Sequence, residues 1–291
     1  MKNALSTLLV SAFVVATIGC GQQAGQEAEQ QDAATQPKDT AKASARPAHW
    51  GYDGEDGPAH WASLSETYNL CGNGTSQSPI NIEKSAATGG ITWKLDYKPT
   101  SLRIAHNEHM DEIIDNGHTI QVTVDEGSTF TFGDKTFQLK QFHFHTPSEH
   151  TIDGKNMPME MHMVHQSEDG SLAVVGVLFK EGTTPNENFK KIISHLPNAK
   201  GESKHLKEDS IDLKIHMPAD NYAYHYSGSL TTPPCSENVQ WLVLRDQVSL
   251  SPDQVKAFSS RIGPNNRPTQ ALNTRKIQLD DLKATVLPNK P

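Results

Sequence analysis

Cysteine is scarce in this chain: three among 291 residues, at Cys20, Cys71 and Cys235. None lies in a Cys-x-x-Cys pair, which argues against a zinc site built on thiolates. No run of lysine or arginine stands out, and the formal net charge is -8. Phosphate binding needs clustered positive charge, so nucleic acid is excluded as a partner. Apolar runs long enough to cross a bilayer are missing too. The stretch from Ala4 to Ile18 is too short to span one comfortably. Between Gly21 and Arg46 there is no aromatic and no large aliphatic residue. Such a segment cannot bury apolar surface, and residues 21–46 are expected to form a disordered linker. No internal repeat is present.

The short apolar stretch has the length of a signal-peptide core, and Lys2 precedes it. Residues 1–20 therefore read as an export signal. It ends in Thr17-Ile18-Gly19-Cys20, which resembles a bacterial lipobox, although Thr17 stands where leucine is usual. In such signals the cysteine is lipidated and becomes the new N-terminus. An ordinary secretory signal cut nearby is the alternative. The expected location is the periplasm or cell envelope, with a lipid at Cys20 as the only membrane contact. With Cys20 acylated, Cys71 and Cys235 remain as an even pair in an oxidising compartment. A disulfide between them is expected, two unrelated buried thiols being the alternative.

Residues 47–288 form one domain on this reading. Aromatic residues appear at its start, in His49-Trp50-Gly51-Tyr52 and His60-Trp61. Alternating or apolar runs then recur at Ile91–Tyr97, Thr119–Asp125, Thr129–Phe132, Phe137–His145, Met159–His165, Leu172–Phe179 and Val239–Leu244. Turn dipeptides separate them, among them Asn116-Gly117, Gly133-Asp134, Asp153-Gly154 and Asp169-Gly170. Two helices are expected. Asn186–Leu196 has apolar residues at helical spacing, and Ser251-Pro252-Asp253-Gln254 opens a helix to about Ile262 with a capping residue, Pro at N1 and Gln at N3. The fold class is mainly β with short helices, a single domain around a large sheet.

Chemistry centres on Gln141-Phe142-His143-Phe144-His145. Strand side chains alternate faces, so His143 and His145 share one face with Gln141. Two imidazoles so placed suit one metal ion. On the next strand Glu160, His162 and Val164 share a face. A hairpin centred on Asp153-Gly154 would set His145 opposite His162 and bring three imidazoles together, although Pro147 and Pro158 interrupt the ladder. Three neutral imidazoles with an open fourth position make a catalytic zinc site, whereas a structural site is closed by four protein ligands. Glu160, two residues before His162, is placed to hold that ring's other nitrogen. Gln141 is placed likewise for His143. By spacing alone, a lone His-x-His is more often ordinary surface or core.

The segments QFHFHTPSEH (Gln141–His150) and MEMHMVH (Met159–His165) closely resemble the alpha-class carbonic anhydrases. So do QSPINI (Gln77–Ile82), Asn116-Gly117-His118, and YSGSLTTPP (Tyr226–Pro234). The likeness runs from about His49 to Arg275. It implies a large, twisted, mostly antiparallel sheet with peripheral helices and zinc in a conical cleft. It implies that carbon dioxide is hydrated to bicarbonate and a proton by zinc-bound hydroxide. His143, His145 and His162 would be the zinc ligands. Thr231 would accept a hydrogen bond from the hydroxide and donate one to Glu149, and its N–H would hold bicarbonate. Thr232 matches the neighbouring substrate-side residue. Val164, Val174 and Leu230 match the wall of the carbon dioxide pocket, and Trp241 its floor. His118 matches the proton shuttle, a role suited to a side chain that titrates near neutrality. Tyr52 would order the water path. A disulfide placed like Cys71–Cys235 is common in bacterial members.

Two rival readings compete with this one. His143-x-His145-x-x-x-Glu149 resembles half of a cupin signature with iron or manganese, but the second half is absent downstream. A carbonic-anhydrase-like binding module without activity is the other rival. Such relatives have usually lost zinc histidines, and all three are present here.

Overall fold

Short runs of alternating apolar and polar residues, punctuated by Gly and Asx turns, produce strands with few helices between them. The computed structural model describes residues 48–84, 86–90, 93–107, 118–218 and 222–281. The expected export signal, the linker, Cys20 and the Asn116-Gly117 turn lie outside the described residues.

In chain order the strands are β1 (Asn81–Ile82), β2 (Ala87–Thr88), β3 (Trp93–Asp96), β4 (Pro99–Asn107), β5 (Thr119–Thr123), β6 (Thr129–Phe132), β7 (Lys135–His145) and β8 (Thr151–Ile152). They continue as β9 (Lys155–Asn156), β10 (Met159–Gln166), β11 (Leu172–Glu181), β12 (Ser203–Asp212), β13 (Tyr222–Ser229), β14 (Glu237–Leu244), β15 (Val248–Leu250) and β16 (Gln278–Asp281). The helices are α1 (Trp61–Leu64), α2 (Leu70–Asn73), α3 (Glu187–Ser194) and α4 (Pro252–Ile262). Thirteen strands join one sheet, in the order β12-β4-β5-β7-β10-β11-β14-β13-β16-β2, with β3, β6 and β15 attached beside that path. Pairing is antiparallel except for β11 with β14 and β15, and β16 with β2.

The central strands are buried on both faces, and the two faces differ. Phe142, Phe144, Met161, Met163, Val175 and Val177 pack into the main core on one face. α4 covers part of it, with Phe258 against Phe144 at 4.5 Å between ring centroids. On the opposite face Val164, Val174, Tyr226 and Trp241 make a second apolar cluster. The imidazoles of β7 and β10 stand on this second face, because they sit at the alternate positions.

One expectation about register needs correcting. The Asp153-Gly154 turn does close β8 on β9, with Thr151 opposite Asn156 as a two-residue hairpin requires. Between β7 and β10, however, His162 lies opposite His143, and Glu160 opposite His145. The difference arises because the two sides of the hairpin leave the ladder unequally. Residues 146–150 separate β7 from β8, whereas only Met157 and Pro158 separate β9 from β10. The longer side folds inward and carries Glu149 and His150 into the interior, both fully buried. A shift of two residues preserves the face on which each side chain stands, so the three imidazoles still share it.

The disulfide between Cys71 and Cys235 is formed and closes a sequence separation of 164 residues. Both cysteines pack with Trp50, Trp61 and Tyr68 in a small cluster near the start of the domain.

Candidate metal centre

Three imidazoles converge where β7 and β10 run side by side. One nitrogen from each of His143, His145 and His162 lies within 4.8 Å of the others, and all three residues are buried. The remaining nitrogen of each ring is held from behind. His143 Nδ1 donates to Gln141 Oε1 at 2.8 Å. His145 Nδ1 donates to the main-chain oxygen of Asn265 at 2.7 Å. His162 Nε2 stands 2.9 Å from Glu160 Oε1, a charge contact rather than an aligned hydrogen bond. His145 Nε2 is buried and has no hydrogen-bond partner among the described residues. A buried imidazole nitrogen that faces two others and bonds to nothing suits a metal cation. The nitrogen donor set suits zinc.

Room for this arrangement depends on a glycine. Gly176 of β11 lies opposite His162. A Cβ there would sit 3.0 Å from Glu160 Oε1 and 3.4 Å from Val243 Cγ2, tighter than ordinary contact.

Charge follows the same geometry. Burial, reinforced by the neighbouring His145 and His162, holds His143 well below the usual histidine value. Burial likewise lowers His145, with Glu149 opposing it. Burial would lower His162 too, but Glu160 and then Glu149 carry it above the usual value. Burial pushes the Glu160 carboxyl up, yet His150 and His162 overcome it and keep it well below the usual range. Neutral imidazoles at His143 and His145 are the form that ligates metal.

A family model described as eukaryotic-type carbonic anhydrase matches residues 56–281. The chain belongs to the eukaryotic-type, or alpha, carbonic anhydrases. It is 41% identical over 230 residues to the carbonic anhydrase of Pectobacterium atrosepticum, covering 79% of this chain and 90% of that protein. Among solved structures, the alpha-carbonic anhydrase of Photobacterium profundum is 38% identical with a TM-score of 0.71, over 79% of this chain and all of that one (100%). The alpha-carbonic anhydrase of Thermovibrio ammonificans, solved with the inhibitor sulfanilamide, is 40% identical with a TM-score of 0.72, over 79% of this chain and 99% of that one. The enzyme is a carbonic anhydrase, and the reaction of its family is the hydration of carbon dioxide.

Other positions that the resemblance singled out lie on the same face of the sheet or in the loop after β13. Val164, Val174 and Trp241 form a row across β10, β11 and β14 on the imidazole face. The Trp241 ring lies 4.8 Å from that of His162. Leu230 packs against the same cluster from the loop after β13. Thr231 and Thr232 in that loop are buried. Cys235 N–H donates to Thr232 O at 2.8 Å, so the disulfide anchors the turn carrying both threonines.

Glu149 departs from the implied pattern. Its Oε1 accepts the main-chain N–H of Arg267 at 2.8 Å, while Oε2 is buried with no hydrogen-bond partner among the described residues. The expected Thr231–Glu149 bond is therefore not made in this structure. The Arg267 amide satisfies one oxygen and leaves the other facing the site, 3.9 Å from His162 Nδ1.

His118 stands at the entrance to β5 with φ of 57°, and its ring meets those of Trp50 and Tyr52 edge-on. Tyr52 also packs against Trp61.

Two contributors were not foreseen from the sequence, nor were the partners of a third, His150, which is expected as a structural neighbour of the site. Asn265 acts through a carbonyl, and Arg267 meets Glu149 through an amide. Main-chain groups carry no residue-type signal. His150 Nδ1 bonds to Glu160 Oε1 and its Nε2 to the Tyr226 hydroxyl, each at 2.7 Å. The histidine was visible but its partners were not, since they come from two other strands.

Proposed function

We propose that this carbonic anhydrase is a zinc enzyme in which His143, His145 and His162 hold the metal and His118 carries protons to buffer. The observation that carries this reading is the convergence of three buried imidazoles, each steadied on its far nitrogen. When bound, zinc supplies the Lewis acidity that makes water a nucleophile near neutral pH. His143, His145 and His162 would hold the metal and would leave it able to take that water. Val164, Val174, Leu230 and Trp241 offer carbon dioxide an apolar wall, which suits a substrate with no charge to grip. A threonine hydroxyl has one proton to donate. Given to Glu149 Oε2, that proton leaves the Thr231 oxygen only lone pairs to present, so it accepts from the nucleophile and fixes its direction. The orphaned Oε2 supports this, since donor and acceptor distances in a resting site often tighten only with substrate bound. The Thr231 N–H meets the negative charge of bicarbonate, with Thr232 beside it. Tyr52 orders water between this site and His118.

Export belongs to the same reading. A bridge between Cys71 and Cys235 supports an oxidising compartment, and a lipid at Cys20 would tether the enzyme in the envelope. The deciding experiment is stopped-flow hydration of carbon dioxide with zinc counted on the same sample. We expect about one zinc per chain, by the single-ion geometry, and hydration far above buffer. Fully loaded protein no faster than buffer would instead favour the inactive binding module.

A further inference from the structure

The segment Gln77–Ile82 carries part of the resemblance, yet it supplies none of the residues assigned to zinc, to carbon dioxide or to the proton. Its first residue, Gln77, is buried, and its amide is bonded on both sides. Oε1 accepts from Arg267 Nη1 at 2.9 Å. Nε2 donates to Cys235 O at 3.0 Å and to Glu237 Oε1 at 3.1 Å. Burial lowers Arg267 to about 10, with Glu149 opposing, so the guanidinium keeps its charge at neutral pH. A guanidinium only donates and a carbonyl only accepts, which leaves the amide one orientation. Room for it comes from Gly74, where a Cβ would overlap both Gln77 Nε2 and Glu237 Oε1.

The two sides of this amide lead to Thr231 and to Glu149. On one side, Cys235 N–H donates to Thr232 O at 2.8 Å, and Leu230 N–H donates to Ser236 O at 3.0 Å, closing the loop that carries Thr231. On the other side, Arg267 N–H donates to Glu149 Oε1 at 2.8 Å. The Arg267 side chain is fixed beside Gln77, because Nη1 also donates to Ser78 O at 2.7 Å and Nη2 to Cys71 O at 2.8 Å. A chain of hydrogen bonds therefore runs from Thr232 through Cys235, Gln77 and Arg267 to Glu149. All five residues are buried, so water does not compete for these bonds.

We propose that Gln77 is a positioning residue for the reaction: its amide ties the threonine loop to the Arg267 segment and so sets Thr231 against Glu149, at a separation from which their hydrogen bond closes when substrate binds. The inference rests on Thr231 and Glu149 directing the nucleophile. Neither a carboxylate nor an apolar side chain replaces the amide, since one of its ends must accept and the other donate.

The test uses the zinc-loaded full chain, with rates expressed per bound zinc. At saturating carbon dioxide in weak buffer, kcat reports proton export, whereas kcat/KM reports conversion of carbon dioxide. Gln77→Met keeps the length of the side chain and removes both bonds. It should lower kcat/KM about tenfold or more, as small misplacements of reacting groups do, with a smaller fall in kcat and the same zinc content. Gln77→Asn keeps an amide too short to reach both partners and should show the same pattern, which serves if the Met variant does not fold. A merely structural residue would lower the yield of folded protein and leave the rate per zinc unchanged; that outcome, in whichever variant folds, overturns the proposal.

A double-mutant cycle with Thr231→Ala separates the route from a general disturbance. Once the threonine hydroxyl is gone, the Gln77 substitution should cost little further kcat/KM. An equal loss in both backgrounds shows that Gln77 does not act through Thr231 and overturns the proposal as well. The underlying assignment fails separately: Thr231→Ala with full kcat/KM removes the Thr231–Glu149 pair from the reaction, whatever holds it in place.

Discussion

Each imidazole proposed to hold zinc is steadied by what stands behind it. Gln141 Oε1, Asn265 O and Glu160 Oε1 occupy the far nitrogens and aim the near ones at a common point. His143→Ala should therefore lose zinc and activity together, because two imidazoles bind zinc poorly; metal analysis and hydration assays on the same preparation check this. Gln141→Ala keeps all three ligands but frees the His143 ring to turn. Zinc affinity should fall about 10–100-fold, as for other groups that orient metal ligands, and competition with a chelator measures it.

A different histidine sets acid sensitivity. His165 is fully buried, its Nε2 bonded to the Tyr97 hydroxyl at 3.0 Å, and burial pushes it down to about 3. The unfolded chain protonates this residue near 6.5. Below that value the unfolded state binds a proton the folded state refuses. The stability due to the neutral ring is thus complete above about 6.5 and lost progressively as pH falls toward 3. The loss between pH 7.5 and 4.5 is roughly 2–3 kcal/mol from this group alone. His165→Gln should abolish that share, so that its urea-unfolding free energy falls less steeply with acid than the parent's. Parallel curves for the two proteins would contradict the assignment.

Among the elements, legibility tracked the strength of local patterning. β6 and α4 match the sequence reading residue for residue, and β7, β10 and β11 to within two residues at each end. α4 has a full capping box, with Ser251 Oγ accepting from Gln254 N–H and the Gln254 side chain returning to Ser251 N–H. Ser251→Ala should cost about 1 kcal/mol in thermal or urea unfolding. Other elements gave no such signal. β12 reads Ser-Lys-His-Leu-Lys-Glu-Asp-Ser-Ile-Asp, charged along an edge strand where apolar alternation is not required. β4 opens on a proline. α1 and α2 span four residues each, too few to show a helical period. The convergence of the three imidazoles was legible because alternation on β7 and β10 is purely local, and an even slip in register leaves every face intact. The carbonyl of Asn265 and the amide of Arg267 were not legible, since they reach the site from more than a hundred residues away through groups every residue has.

At the scale of the whole molecule the bridge joins the start of the domain to the threonine loop, and in doing so it settles the cysteine count. Its long closed loop restricts the unfolded chain, contributing about 5 kcal/mol in the chain-entropy view. Reduction should therefore lower the melting temperature markedly. The imidazoles are held by β7 and β10 rather than by the bridge, so zinc content should change little below the melt. Loss of zinc at temperatures where the reduced protein remains folded would show that the bridge supports the metal site directly. With Cys71 and Cys235 joined, Cys20 is the odd cysteine of the chain. In an oxidising compartment an odd thiol is either blocked or drawn into pairing with another molecule. The acylation proposed above would block it and supply a membrane anchor in one step. Expressed in a bacterium that processes lipoproteins, the full chain should fractionate with membranes. Cys20→Ser should shift it away from them without changing hydration per bound zinc, since the residue precedes the matched family region altogether. Membrane association that survives Cys20→Ser would mean that something other than a lipid on that sulfur holds the enzyme there.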